Sequence, residues 1–99
     1  MSKVLYEYHY SVGSSLVKCY KLIVERETDK MFYGNVFLSD IDTGHRFAVK
    51  KENINQLAQY VSRKTGTVYK VVVESDNHKQ TSYDIVNRRL QEVINNFNL

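Results

Sequence analysis

Runs of alternating side chains, separated by short turn-forming segments, dominate the first half of this chain. In the segment VLYEYHY, Tyr6, Tyr8 and Tyr10 lie on one side of an extended backbone, and Leu5 and Glu7 lie on the other. A period of two with many aromatic rings is typical of a β-strand. Four such runs, joined by short turns, predict an antiparallel meander over residues 3–10, 16–27, 31–39 and 46–50.

The apolar period then changes from two to that of a helix. In NINQLAQYVSRKTG, Ile54, Leu57 and Val61 recur at helical spacing, and Gly66 follows as a C-cap, which predicts a first helix over residues 53–66. The next segment, TVYKVVVES, contains a run of valines that is typical of a strand buried on both faces.

A second helix is predicted from residue 81 to the end of the chain. It carries an apolar stripe that consists of Tyr83, Val86, Leu90, Val93, Ile94 and Phe97. The sequence therefore predicts a single α+β domain over residues 1–99, with a mostly antiparallel five-stranded sheet in the order β-β-β-β-α-β-α and both helices packed on one face. The two strands that flank the first helix are expected to run parallel.

Composition and targeting signals limit the class of protein. A chain of 99 residues with 42% hydrophobic and 25% charged side chains is ordinary for one globular domain. Cys19 is the single cysteine, so an internal disulfide is excluded, and its apolar surroundings favour a packing role. The chain has no run of about 20 apolar residues and no signal-peptide pattern, which predicts a cytoplasmic protein without membrane contact.

Two acidic patterns resemble known sites only in part. Asp42-Thr43-Gly44 matches the triplet of retroviral-type aspartic proteases, but the flanking residues differ and a hairpin turn accounts for the triplet. Asp40 and Asp42 resemble the start of a calcium loop, but Lys51 stands where the last ligand, a glutamate, is required. Neither pattern predicts a site.

Other signatures of catalysis or metal binding are missing from the sequence. His9, His45 and His78 are too far apart for the paired spacing of a zinc site. The chain also has no glycine-rich phosphate loop and no serine elbow. We therefore expect a non-catalytic protein without a cofactor or a metal ion.

The tyrosines are the strongest functional feature of the sequence. There are eight in the chain, and Tyr6, Tyr8 and Tyr10 share one face of the first strand. One interpretation places them at the edge of the core with their hydroxyls in water. The other makes them a contact surface for another protein, and it is the basis of the function that we predict. If the first strand lies at an edge of the sheet, its free backbone groups can pair with a second copy of the chain, which predicts a homo-oligomer.

A nucleic-acid-binding module is the alternative. Tyrosine rings could stack on unpaired bases while cations contact the phosphates, and the candidate cations are Lys18, Lys21, Lys70, Arg88 and Arg89. The whole excess of positive charge lies in residues 50–99. The stretch GHRFAVKKENINQLAQYV also resembles a strand–helix step of the single-strand-binding transcriptional coactivators with a ββββα fold, which implies binding to single-stranded DNA.

The composition also indicates a biological setting. Lys, Asn, Ile and Tyr are frequent, as in proteins that AT-rich genes encode. A small chain of this kind fits an accessory protein of a low-GC bacterium or of its phage. By analogy, the predicted function is inhibition or regulation of a host machine, such as a defence nuclease, through protein–protein contacts.

Overall fold

The computed structural model describes residues 3–12, 17–64, 66–74 and 76–97, without the side chains of residues 96 and 97. Within these residues the chain forms six strands, a short 3-10 helix and one α-helix. The strands are β1 (Val4–Ser11), β2 (Val17–Glu27), β3 (Met31–Leu38), β4 (Ile41–Lys50), β5 (Leu57–Ser62) and β6 (Gly66–Val73). The 3-10 helix is Lys51–Asn53, and α1 is His78–Phe97. The α+β class and the antiparallel sheet are confirmed, but the prediction of five strands and two helices is wrong.

The segment predicted as the first helix contains β5 instead. Leu57 and Val61 are four residues apart, a spacing that places them on one face of a helix and equally on one face of a strand. β5 pairs with β6 along the whole length of β5, and Gly66, at φ 77°, follows the turn of this hairpin rather than capping a helix. Tertiary pairing therefore decides the conformation, as it commonly does for short ambiguous segments.

The strand order places β1 in the interior of the sheet. The order is β4-β3-β2-β1-β6-β5, and every neighbouring pair is antiparallel. The predicted parallel pair is therefore wrong, because β6 pairs with β1 and β5. The expectation of a free outer edge on the first strand is also wrong, because the backbone of β1 is bonded to β2 on one side and to β6 on the other.

Two apolar cores lie on opposite faces of the sheet. α1 packs over β6 and β1, and the core beneath it contains Tyr8, Tyr69, Val71, Val73 and Val86. The core on the other face contains Leu5, Leu22, Val24, Phe32 and Val72. β6 contributes to both cores because successive side chains of a strand point to opposite faces. The predicted burial of both faces of the valine run is confirmed.

The sheet coils around the core that faces away from α1. Residues 51–56 connect β4 to β5, although these strands form opposite edges of the sheet. Ile54 in this link packs against the core, and the N–H of Asn55 donates a hydrogen bond to the carbonyl of Val72 at 2.8 Å. Residues of β4 and β5 line one cleft, so the two edges approach each other on this face.

Candidate protein-docking surface

The three tyrosines of β1 lie beneath α1 instead of forming an open face. Tyr8 is 5% exposed, and Tyr6 and Tyr10 are half-buried. The ring of Tyr6 stacks on His78 with 3.5 Å between the centroids and an interplanar angle of 8°. The expected exposed tyrosine surface is therefore corrected: because β1 is an inner strand next to β6, α1 covers the face that these rings occupy.

The hydroxyl groups of Tyr8 and Tyr10 form hydrogen bonds with side chains at the start of α1. The Tyr8 hydroxyl lies 2.6 Å from Nδ1 of His78, and the Tyr10 hydroxyl lies 2.6 Å from Oγ of Ser82. Ser82 donates its own proton to the carbonyl of Lys79, so Tyr10 donates to Ser82. Burial raises the pKa of Tyr8 and of Tyr10, which keeps both hydroxyls protonated as donors.

The cations proposed for nucleic-acid binding lie on three different parts of the molecule. Lys18 and Lys70 are opposite His9 on the face away from α1. Lys21 is opposite Tyr6 on the α1 face. Arg88 and Arg89 are on α1 itself. The structure therefore does not gather the predicted cations into one surface.

Two of these cations also have acidic partners. Nζ of Lys70 is 2.9 Å from Glu7, and Nη1 of Arg89 is 3.4 Å from Glu92. The segment that resembles the single-strand-binding coactivators ends in strand β5, so the strand–helix step of that resemblance is not formed.

Glu7, His9 and Lys70 form a polar cluster on the face away from α1. Nε2 of His9 is 3.7 Å from Glu7, and its Nδ1 shares a hydrogen bond of 2.9 Å with the Tyr60 hydroxyl. Burial alone would raise the pKa of Glu7, but the attraction of His9 and Lys70 outweighs burial and leaves this pKa below its ordinary value. These internal contacts tie β1 to β5 and β6.

The other residues considered for chemistry have structural roles. Cys19 is opposite Tyr8 and packs against the core beneath α1. The Asp42-Thr43-Gly44 segment forms a bulge in β4 rather than the hairpin turn, because the carboxylate of Asp42 accepts the N–H of Gly44 and Thr43 bonds to the carbonyl of Val36. Among the described residues, no three His, Cys, Asp or Glu side chains are close enough together to hold a metal ion.

Topology brings three hairpin connections to one end of the sheet. The strands alternate in direction, so the connections after β1, β3 and β5 lie at the same end, and the links after β2, β4 and β6 lie at the other. We call the first of these the hairpin end. α1 follows β6 and runs back toward the hairpin end, because His78 contacts Tyr6 while Leu90 shares a groove with Val12.

The exposed large apolar side chains collect at the hairpin end. Of the described residues, those in this class are Val12, Val17, Leu38, Ile41, Tyr60, Val61, Tyr83, Val93 and Ile94. Val12 lies in the connection after β1, and each of the others lies on α1 or in the half of a strand nearest the hairpin connections. Ion pairs occupy the opposite end, where Lys3 pairs with Glu74 and Lys51 with Glu27.

Five of these side chains lie on α1 or beside the groove that α1 forms with the end of β1. They are Val12, Val17, Tyr83, Val93 and Ile94, and we call them the hairpin surface. Val12 and Tyr83 line a groove of about 270 Å³ together with Leu90. Val93 and Ile94 are one helical turn beyond Leu90, on the same side of α1. Val17 is opposite Tyr10, which also lines the groove, so the five residues are continuous.

Polar side chains border the hairpin surface on α1. Asn87, Gln91 and Asn95 are exposed on one side of it, and the Arg89–Glu92 pair lies beside Val93 on the other. An apolar centre that lacks charge, with hydrogen-bonding groups at its rim, is typical of surfaces that bind other proteins. Among the residues predicted for partner binding, only Tyr10 reaches this groove.

Part of the hairpin surface had a signal in the sequence. Val93 and Ile94 belong to the predicted apolar stripe, but a stripe does not show which of its residues stay exposed. Val12 is an apolar residue in a turn-forming segment, where polar residues are usual. An apolar residue at such a turn was the sequence signal that this end of the molecule exposes apolar side chains.

Comparisons with known proteins return no match. No protein-family model matches the chain, and searches against curated proteins and solved structures give no significant similarity. Among the described residues, no helix has the length and apolar character needed to cross a bilayer. The geometry of the hairpin surface therefore carries the functional assignment.

Proposed function

We propose that this chain is a non-catalytic protein-binding domain that contacts its partner through the hairpin surface. The concentration of the exposed large apolar side chains at one end of the molecule is the observation that supports this function. Contiguous exposed apolar residues with a polar rim commonly mark protein interaction sites. The partner is a protein with an apolar patch ringed by hydrogen-bonding groups.

The lack of charge on the hairpin surface favours a protein partner over a nucleic acid. Nucleic-acid binding depends on cations that neutralise phosphates and weakens steeply with salt. The hairpin surface contains no cation, and the lysines and arginines considered above lie on separate parts of the molecule. Inhibition of a host machine, such as a defence nuclease, and a cytoplasmic location stay predictions from the sequence.

Paired glutamine substitutions on α1 test the proposed function. Val93→Gln with Ile94→Gln removes two exposed apolar side chains and adds residues that favour a helix, so the fold should be retained. Partners captured from the source cell on immobilised wild-type chain would be identified, purified and titrated by calorimetry. We expect the double variant to bind the purified partner at least about tenfold more weakly, as for central interface residues.

Ile41→Gln is the matched control, because Ile41 is exposed but lies on β4, outside the hairpin surface. This variant should bind as the wild type does, and added salt should change the affinity little. Equal binding by the double variant and the wild type would contradict the proposal. Tight, salt-sensitive binding of a labelled single-stranded oligonucleotide, or of anionic lipid vesicles, would assign the surface to a different class of partner.

A further inference from the structure

The two edges of the sheet differ in how their outer backbone groups are protected. β4 contains a bulge, because its register with β3 shifts between Asn35 and Phe37 of β3. β4 also carries the charged residues Asp42, Arg46 and Lys50. Bulges and charged side chains are common means by which edge strands avoid pairing with other chains. β5 forms the opposite edge and, within the described part of the chain, pairs with β6 alone.

β5 lacks these protective features. Its sequence, LAQYVS, has no charged residue, proline or glycine, and its register with β6 has no shift. Val61 is 77% exposed, and Gln59 and Ala58 are also exposed. An uncharged edge strand of this kind offers its N–H and C=O groups to the backbone of another strand.

We propose that β5 pairs antiparallel with β5 of a second copy of this chain, about a two-fold axis at Gln59. In this register Leu57 is opposite Val61 of the second copy, on the α1 side of the sheet. Ala58 is opposite Tyr60 of the second copy, on the other side. Apolar side chains therefore meet each other, a large ring meets a small methyl group, and the two Gln59 amides meet at the axis.

Neighbouring registers and flanking charges support this choice of axis. An axis at Tyr60 would bring two bulky rings together and set Val61 opposite Gln59, which is a poorer match. With the axis at Gln59, Arg63 is opposite Asn55 of the second copy, so like charges do not meet across the pair.

The pairing leaves the hairpin surfaces accessible. A two-fold axis reverses the strand direction, so the hairpin ends of the two copies point in opposite directions. β5 contributes no residue to the hairpin surface. The dimer would therefore present two docking surfaces, and it does not depend on the proposed function.

Disulfide trapping tests the register of the pair. In a Cys19→Ser background, Gln59→Cys places two thiols opposite each other, with Cβ atoms about 4.5–5.5 Å apart, close to the span of a disulfide. We expect mild oxidation to convert Gln59→Cys to a covalent dimer. Ala58→Cys should stay monomeric because it faces Tyr60 of the second copy. Ala48→Cys on β4 is the matched edge control and should also stay monomeric.

Light scattering over a concentration series tests the dimer without cysteines. The mass of the wild type should rise toward twice that of the monomer, and Val61→Lys should remain monomeric because a charge on an edge strand opposes pairing. Ile41→Lys on the other edge should behave as the wild type. A monomeric wild type without Gln59→Cys cross-linking, equal cross-linking at all three positions, or a dimeric Val61→Lys variant would overturn the proposal.

Discussion

The hydroxyl groups of Tyr8 and Tyr10 show how polar atoms are accommodated between a sheet and a helix. The Tyr8 hydroxyl shares a hydrogen bond with His78 and the Tyr10 hydroxyl bonds to Ser82, both in the first turns of α1, while Tyr8 is buried and Tyr10 is half-buried. A buried hydroxyl without a partner destabilises a fold by about 1–3 kcal/mol, so these bonds position α1 as well as satisfying the tyrosines. His78 and Ser82 therefore act in packing, through bonds that no short sequence motif reveals.

Gly34 is required because another backbone approaches it closely. A Cβ atom at this position would lie 1.9 Å from the carbonyl oxygen of Ile23 and 2.9 Å from the ring of Phe47. Since the first of these is a backbone atom, we expect Gly34→Ala to lower the free energy of unfolding by about 3 kcal/mol or more. Urea denaturation followed by circular dichroism measures this change.

Gly44→Ala provides the control for that substitution. Nothing lies within 4 Å of a Cβ at this position, but its φ of 79° is unfavourable for alanine. The expected loss is only about 1–2 kcal/mol. Equal stability of Gly34→Ala and the wild type would show that β2 and β3 do not approach each other as described.

At the scale of elements, β5 and α1 differ in how much their own sequences decide. α1 is long, and its apolar stripe has one clear period, so the predicted second helix is confirmed, although it begins at His78 rather than at Thr81. β5 is short, and its spacing fits both a helix and a strand. Its conformation depends on β6, a partner that local sequence does not specify.

The two halves of α1 should contribute unequally to stability. Val86 is 4% exposed in the core beneath the helix, whereas Val93 is 42% exposed. We expect Val86→Ala to lower the free energy of unfolding by about 2 kcal/mol through lost burial and a cavity. The same change at Val93 should stay within about 0.5 kcal/mol of the wild type. Urea denaturation compares them, and equal losses would contradict the exposure of Val93.

At the scale of the whole molecule, the regular alternation of strand direction produces two unlike ends. One end contains the hairpin connections and the exposed apolar side chains, and the other contains ion pairs around Phe32, whose ring has Lys3 and Lys51 within 5.0 Å of its centroid. This asymmetry arises from topology, because the apolar residues concerned come from distant parts of the chain. The proposed docking function requires such an asymmetry, because it needs exposed apolar side chains gathered at one end.

The stability of the domain should decrease in mildly acidic solution. Burial lowers the pKa of His78 below its ordinary value of 6.5, so the unfolded chain takes up a proton more readily than the folded one. The stability due to neutral His78 is complete above pH 6.5 and is lost as the pH falls through the folded pKa. Glu7 adds a similar loss only below its ordinary pKa of 4.5.

Thermal unfolding at about pH 7.5 and about pH 5.5 measures this effect. His78→Gln retains an acceptor for the Tyr8 hydroxyl but does not titrate, so its melting temperature should change less between the two conditions. His45→Gln, at an exposed position in the β4 bulge, should keep the pH dependence of the wild type. A His78→Gln variant with an unchanged pH dependence would show that His78 is not its source.

The sequence by itself determined what depends on neighbouring residues: the strand periods of β1, β2, β3 and β6, the stripe of α1 and the double burial of the valine run. Only the tertiary structure decided the strand order, the conformation of β5, the burial of the β1 tyrosines and the collection of apolar side chains at one end. The physical reason is that side-chain alternation is local, whereas strand partners are chosen by contacts between residues far apart in the chain.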